Sequence, residues 1–218
     1  DERAEFVREQ TLLGSLVHLL RADAPDQLFA LFHAARKALA AGGEHRVRYT
    51  LVPLVFRTLA LARRLSRLQL SAAEWAAVGK RLFTFVHETV SVVAKADANQ
   101  QLALRLFAAA AVSADQCGFE SVAYEFVTRA FALYEELAKA DEQYAAITII
   151  IATLQRSVVF SRDNYDTLVT KAAQHSAKLL AKTDQCRAVA MCSHLFWQRE
   201  RVAGGADERA AKRRALLA

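Results

Sequence analysis

An all-α fold follows from three features of the chain. Only two prolines and seven glycines occur in 218 residues, while alanine and leucine recur throughout, which favours long helices over strands and turns. Apolar residues repeat at i, i+3 and i+4, the spacing that gathers one face of a helix. Breaks near Gly42-Gly43, Asp97, Asp141 and Thr183, with Gly204-Gly205 near the end, leave intervals of roughly 40–50 residues, enough for two helices and a turn. A hairpin of that size cannot bury its apolar face alone, so hairpins stack. The expectation is a single region, residues 1–218, of about ten antiparallel helices.

Taken in order, Asp23 stands before Pro25 as the cap of an early helix. At Gly42-Gly43 the backbone is free to leave a helix through positive φ; Thr50 then caps a new helix and Pro53 falls in its first turn, where a missing N–H is harmless. Gly42, Gly43 and Pro53 thus read as a hinge. Ser71 with Glu74 three residues on is a capping box. Phe119, Ala123, Phe126, Val127, Ala130, Phe131, Tyr134 and Leu137 form one helical stripe. Residues 145–154 contain Ile147, Ile149, Ile150 and Ile151, whose β propensity is high, yet no second strand is available to pair with them, so a buried helix is expected. Tyr165, Leu168, Val169, Ala172, Ala173, Ser176, Leu179 and Leu180 form a further stripe, with Asp163 before it. Thr183 and Asp207 precede the last two helices.

Composition and motifs exclude several functions. The chain is 54% hydrophobic and 24% charged, a globular balance. No run approaches the ~20 apolar residues that span a bilayer, and Asp1-Glu2-Arg3-Ala4-Glu5 is too charged for a signal peptide, so membrane association is expected to be indirect. Three cysteines without paired spacing fit a reducing, cytoplasmic compartment. The formal charge of +6 leaves open a nucleic-acid adaptor, which would set Arg46, Arg48, Arg63, Arg64 and Arg67 along one groove. Those basic residues are dispersed, as on solvated helix faces. There is no P-loop, G-x-G-x-x-G or G-x-S-x-G, and no H-x-x-x-H pair. Cys186 and His194 share a helical face but lie ~12 Å apart along the axis, too far for one zinc. No catalytic, cofactor or metal residues are therefore assigned. Trp197, closing the run Leu195-Phe196-Trp197, is expected to pack between helices.

Charge at helix ends is the remaining signal. Glu135, Glu136, Asp141 and Glu142 surround the end of one helix, and Lys178 and Lys182 lie near the end of the second helix after it. In an up-down array, helices two apart end on the same edge. Glu135, Glu136, Asp141, Lys178 and Lys182 are thus a candidate edge for weak self-association, an acidic patch beside a basic one. The plainer reading is of solvated turns, with lysines placed by the helix dipole.

One segment resembles a known family. Gly42-Gly43-Glu44-His45-Arg46-Val47-Arg48-Tyr49-Thr50-Leu51-Val52-Pro53-Leu54-Val55-Phe56 is similar to the C-terminal half of the large solenoid subunit of retromer, an endosomal coat. Val122-Ala123-Tyr124-Glu125-Phe126, Ala130 to Glu135, Ala145-Ala146-Ile147-Thr148, Lys178-Leu179-Leu180, Asp184 to Val189 and His194-Leu195-Phe196-Trp197 follow in that family's order. The resemblance implies a HEAT-like α-solenoid, a non-enzymatic scaffold with no cofactor. It also implies a concave surface gripping the small retromer subunit of metallophosphoesterase-like fold, and pairing of two copies through this end. The implied location is the cytoplasmic face of endosomes, peripheral to the membrane. The other retromer subunits would be engaged through an N-terminal part that this fragment lacks. No nucleic acid is expected as a partner.

Overall fold

The computed structural model describes residues 2–68 and 71–197. Among them there are nine α-helices and no strand: α1 Glu2–Leu16, α2 Pro25–Ala40, α3 Glu44–Leu65, α4 Ala72–Ala94, α5 Gln100–Cys117, α6 Glu120–Glu136, α7 Ala140–Arg156, α8 Arg162–Ala177 and α9 Lys182–Trp197. The breaks expected at Gly42-Gly43 and Asp97 fall between helices, and those near Asp141 and Thr183 fall in the first turns of α7 and α9, just after a connection. Asp207 and Gly204-Gly205 lie outside the described residues, as does the tenth helix expected there.

Odd- and even-numbered helices form two layers. Along the odd layer α1, α3, α5, α7 and α9 each pack on the next, while α2, α4, α6 and α8 stand farther apart. The side chains explain the difference. α5 carries Ala103, Ala110, Ala111 and Ala114, all fully buried, so its neighbours approach closely. The even layer is spanned by long side chains instead: Phe29 meets Phe85 at 5.4 Å between ring centroids, Phe83 meets Phe126 at 6.2 Å, and Arg36 pairs with Glu88 at 2.7 Å. A two-layer stack with one layer more closely spaced bends toward that layer, which makes the odd helices the inner ones.

Helix ends follow local chemistry, with corrections to several expected caps. The Ser71–Glu74 capping box is present in full. Asp23 is not a cap; Ala24 takes that position and Pro25 begins α2, its missing N–H costing nothing there. Ser161 rather than Asp163 precedes α8, and Thr183 lies inside α9, which starts at Lys182. At the end of α5, Gly118 adopts φ 85° and Phe119 N–H reaches Ala114 O at 3.0 Å, closing a Schellman turn only glycine enters without strain.

The largest correction concerns α3. It starts at Glu44, so Thr50 and Pro53 lie within it rather than at its start. Val47, Leu51, Leu54, Val55, Leu59 and Ala62 form one buried stripe running through the proline, and this tertiary gain outweighs the proline's preference for a helix end. Thr50 donates its hydroxyl to Arg46 O at 3.1 Å instead of capping. Pro53 has no N–H for the carbonyl four residues back, Tyr49 O. Against that carbonyl α1 presents Gly14, so close that a Cβ there would lie 2.5 Å from the oxygen.

The isoleucine-rich segment is helical, as expected, with Ile147, Ile150 and Ile151 buried in α7. Two apolar residues are not where the sequence sets them. Leu180 is 79% exposed, because α8 stops at Ala177 and Leu179 takes the buried position. Trp197 is 84% exposed at the end of α9 rather than packed between helices; its helix is anchored by Ala188, Cys192 and Leu195, on another face.

Candidate interaction edge

The α6 and α8 ends do share one edge, and the structure separates the five candidate residues into two groups. Glu135 and Lys178 line the same concavity of about 640 Å³, together with Asp166, Lys171 and His175. Glu136, Asp141 and Lys182 lie outside it. Glu136 accepts a hydrogen bond from Gln100 Nε2 at 3.1 Å, and Lys182 Nζ donates to Gln185 Oε1 at 3.1 Å. Asp141 and Glu142 occupy the first turn of α7, where a carboxylate meets the positive end of the helix dipole, and Glu142 pairs with Lys139 at 2.9 Å.

Glu135 is the centre of the edge. It lies 3.0 Å from Lys171 Nζ and 3.3 Å from His175 Nε2, both on α8. The hydrogen bond from Lys171 holds its carboxyl below the ordinary carboxylate value. His175 is pulled both ways: Glu135 favours its protonated form, but burial against Phe131 and Tyr134 disfavours it more, and Lys171 and Lys178 add to that. The balance keeps the imidazole below its usual pKa. Lys171 also lies over the Phe131 ring at 5.1 Å. The edge is thus an ion pair laid across aromatic rings, with Lys178 the cation farthest toward the turn.

Lys171 and His175 were absent from the candidate set, though their signal is in the sequence. Positions 171, 175 and 178 are spaced i, i+4 and i+7, one face of α8. What sequence could not give is the angle that turns this face toward Glu135 rather than solvent.

At the hinge, only Gly43 has positive φ, at 85° with ψ 170°; Gly42 adopts an ordinary conformation. Gly43 O accepts from Arg46 N and Val47 N, which starts α3. The arginines of the adaptor reading are spread along α3 and beyond its end. Arg46 and Arg48 sit in the first turns of α3, and Arg63 and Arg64 in its last, roughly 25 Å away at 1.5 Å per residue. Cys192 is buried with its Sγ 3.3 Å from Ser176 Oγ, while Cys186 and His194 are exposed. Among the described residues no His, Cys, Asp and Glu cluster could hold a metal ion, and no helix is long and apolar enough to cross a membrane.

Comparison with known proteins agrees with this architecture. The profile of the family described as vacuolar protein sorting-associated protein 35 matches residues 1–216. The Arabidopsis thaliana proteins of that name, forms 35C and 35B, are 43% and 41% identical over 91% and 90% of this chain. The Dictyostelium discoideum protein is 33% identical over 87%. The chain spans about a quarter of the length of these relatives, 25% in each case. With nearly every residue matched by the family profile, and with a helical stack of the kind that resemblance implied, the chain belongs to the vacuolar protein sorting-associated protein 35 family.

Proposed function

We propose that the chain is a non-enzymatic section of the retromer scaffold, residues 1–218 forming one solenoid region of a longer protein. Its inner face binds the small retromer subunit of metallophosphoesterase-like fold. Through that assembly, peripheral on the cytoplasmic face of endosomal membranes, it supports cargo sorting and retrograde transport. The remaining retromer subunits are engaged by parts of the protein outside this chain. The observation that carries the reading is the unbroken inner layer of α1, α3, α5, α7 and α9 in a chain of this family, since stacked hairpins of this kind present a long rigid surface to a folded partner. Calorimetric titration with the small subunit, without nucleotide, tests it. Stoichiometric binding is expected; no heat from a well-folded sample refutes it.

The edge of α6 and α8 adds self-association to the proposal. Around a two-fold axis the acidic patch of Glu135, Glu136 and Asp141 on one copy faces Lys178 and Lys182 of the other. Because Glu135 is already paired within its own chain, the contact relies chiefly on Glu136 and Asp141, and is weak and screened by salt. Lys178→Glu with Lys182→Glu abolishes it in sedimentation at low salt. Adding Glu135→Lys, Glu136→Lys and Asp141→Lys restores it with reversed polarity. An unchanged monomer–dimer balance in the lysine-reversed protein would remove these residues from any interface.

A further inference from the structure

At the opposite end of the stack from that edge, a second concavity collects positive charge. It has a volume of about 630 Å³ and is formed by three separate segments: the start of α1, the start of α3, and the turn that joins α4 to α5. Arg48 and Lys95 line it, and neither forms an ion pair with a described residue. Arg3 adds a third cation to the wall, and among the described residues Glu44 is the one carboxylate there. The N-terminal end of α3, a 22-residue helix, opens beside it and favours negative charge there.

The floor carries the second observation. Asn99 is 2% exposed and lines the concavity; among the described residues its side-chain amide has no hydrogen bond, it does not cap α5, and its backbone N–H is engaged with Ala96 O. An amide so nearly enclosed has little room for water, so a ligand group that reached it would add a hydrogen bond at small desolvation cost. Asn99 is part of the wall of the space that the cations surround.

We propose that this concavity is a binding site for a compact phosphorylated polyol, an inositol polyphosphate either free in solution or as a lipid headgroup. Phosphates meet Arg48, Lys95 and Arg3, and ring hydroxyls meet the Asn99 amide and the Tyr49 hydroxyl. The volume is that of a small-molecule site rather than a single-phosphate cradle. A nucleotide fits less well. Arg48 lies over the Tyr49 ring at 5.3 Å and Arg46 over Phe6 at 5.9 Å, so arginines already cover the faces on which a base would stack. An extended acidic peptide would leave most of its length outside so compact a concavity. The site does not depend on the coat reading, and either can fail alone.

The test is titration of the full-length protein and the 218-residue chain with inositol hexakisphosphate, inorganic phosphate, a glutamate-rich decapeptide, and vesicles with or without phosphoinositide. The polyphosphate is expected to bind at least tenfold more tightly than inorganic phosphate. Arg48→Glu with Lys95→Glu should cut that affinity at least tenfold. Both residues are exposed, so the fold should survive; Asn99→Asp, which places charge on the floor, should also weaken binding. Binding of the soluble polyphosphate together with phosphoinositide vesicles supports the site with a lipid source, and binding of the soluble form alone supports it with a free one. The proposal is overturned if the double variant binds as the parent does, if vesicles bind but the soluble polyphosphate does not, or if the decapeptide binds equally well with the same sensitivity.

Discussion

Replacing Gly43 isolates a purely conformational cost. Its φ of 85° with ψ of 170° belongs to a region essentially confined to glycine, and a Cβ added there would meet nothing within 4 Å. No clash contributes, so any loss is backbone strain, on the order of 1–3 kcal/mol for Gly43→Val and toward the lower end for Gly43→Ala. In a domain of this size about 1 kcal/mol shifts the melting temperature by roughly 2–4 °C, so a fall of about 2–12 °C is expected. Gly42→Ala is the control. Its Cβ would lie 3.0 Å from Arg46 Cδ, the movable part of an exposed side chain, and 3.3 Å from Leu39 O, and its φ is not positive, so a change below about 1 kcal/mol is expected. Thermal and urea melts of the three variants decide the matter. If Gly43→Val melts with the parent, or Gly42→Ala falls as far, the hinge does not work through the Gly43 backbone.

Further outcomes rest on other contacts. Gly14→Ala puts a Cβ 2.5 Å from Tyr49 O; α1 must retreat, and overpacking of about 1–3 kcal/mol exceeds the ~1 kcal/mol gained in helix propensity, so the urea midpoint should fall, and a rise would refute the close contact. Asp115, buried on α5, accepts from Val158 N at 2.7 Å and Val159 N at 2.8 Å and so fastens the α7–α8 connection. Asp115→Ala leaves both donors unsatisfied and should cost about 2–4 kcal/mol, with hydrogen exchange rising first at those two amides. Burial holds His33 and His175 below the ordinary imidazole value of 6.5. As pH falls through that value the unfolded chain takes up protons that the folded chain resists, so stability declines on acidification until the folded sites protonate. Glu135, held below 4.5 by Lys171, extends the loss at lower pH. Urea midpoints at pH 7.5 and 5.5 should show the decline and His175→Gln should lessen it; midpoints that rise on acidification would refute it.

How much of this was legible in the sequence depends on what each residue answers to. Stripes such as Ala123 to Leu137 answer to a helix's own period, so the helices and their order as hairpins could be read directly. Pro53 and Thr50 carry a local preference for a helix start, and the structure overrides it, because the buried stripe from Val47 to Leu65 runs on regardless and α1 covers the freed carbonyl. A contact between residues 35 positions apart, Gly14 and Tyr49, is not in any local window. The same holds at the charged edge. Glu135 and Lys178 were found from helix ends alone, whereas Lys171 and His175 required knowing which face of α8 meets α6.

The two layers of the stack have unequal mechanical character. Alanines in close contact make the odd layer resist stretching, since any gap forfeits dispersion across many atoms at once. The even layer is held by struts such as Arg36–Glu88, half open to water, which yield and re-form at little cost. A strip with one stiff ply and one compliant ply flexes about the stiff one. The spacing of residues along the odd layer therefore stays constant as curvature changes, while the grooves between even helices open and close. A partner seated on the odd layer would keep its footing through such flexing, and one wedged between even helices would feel, or set, the bend.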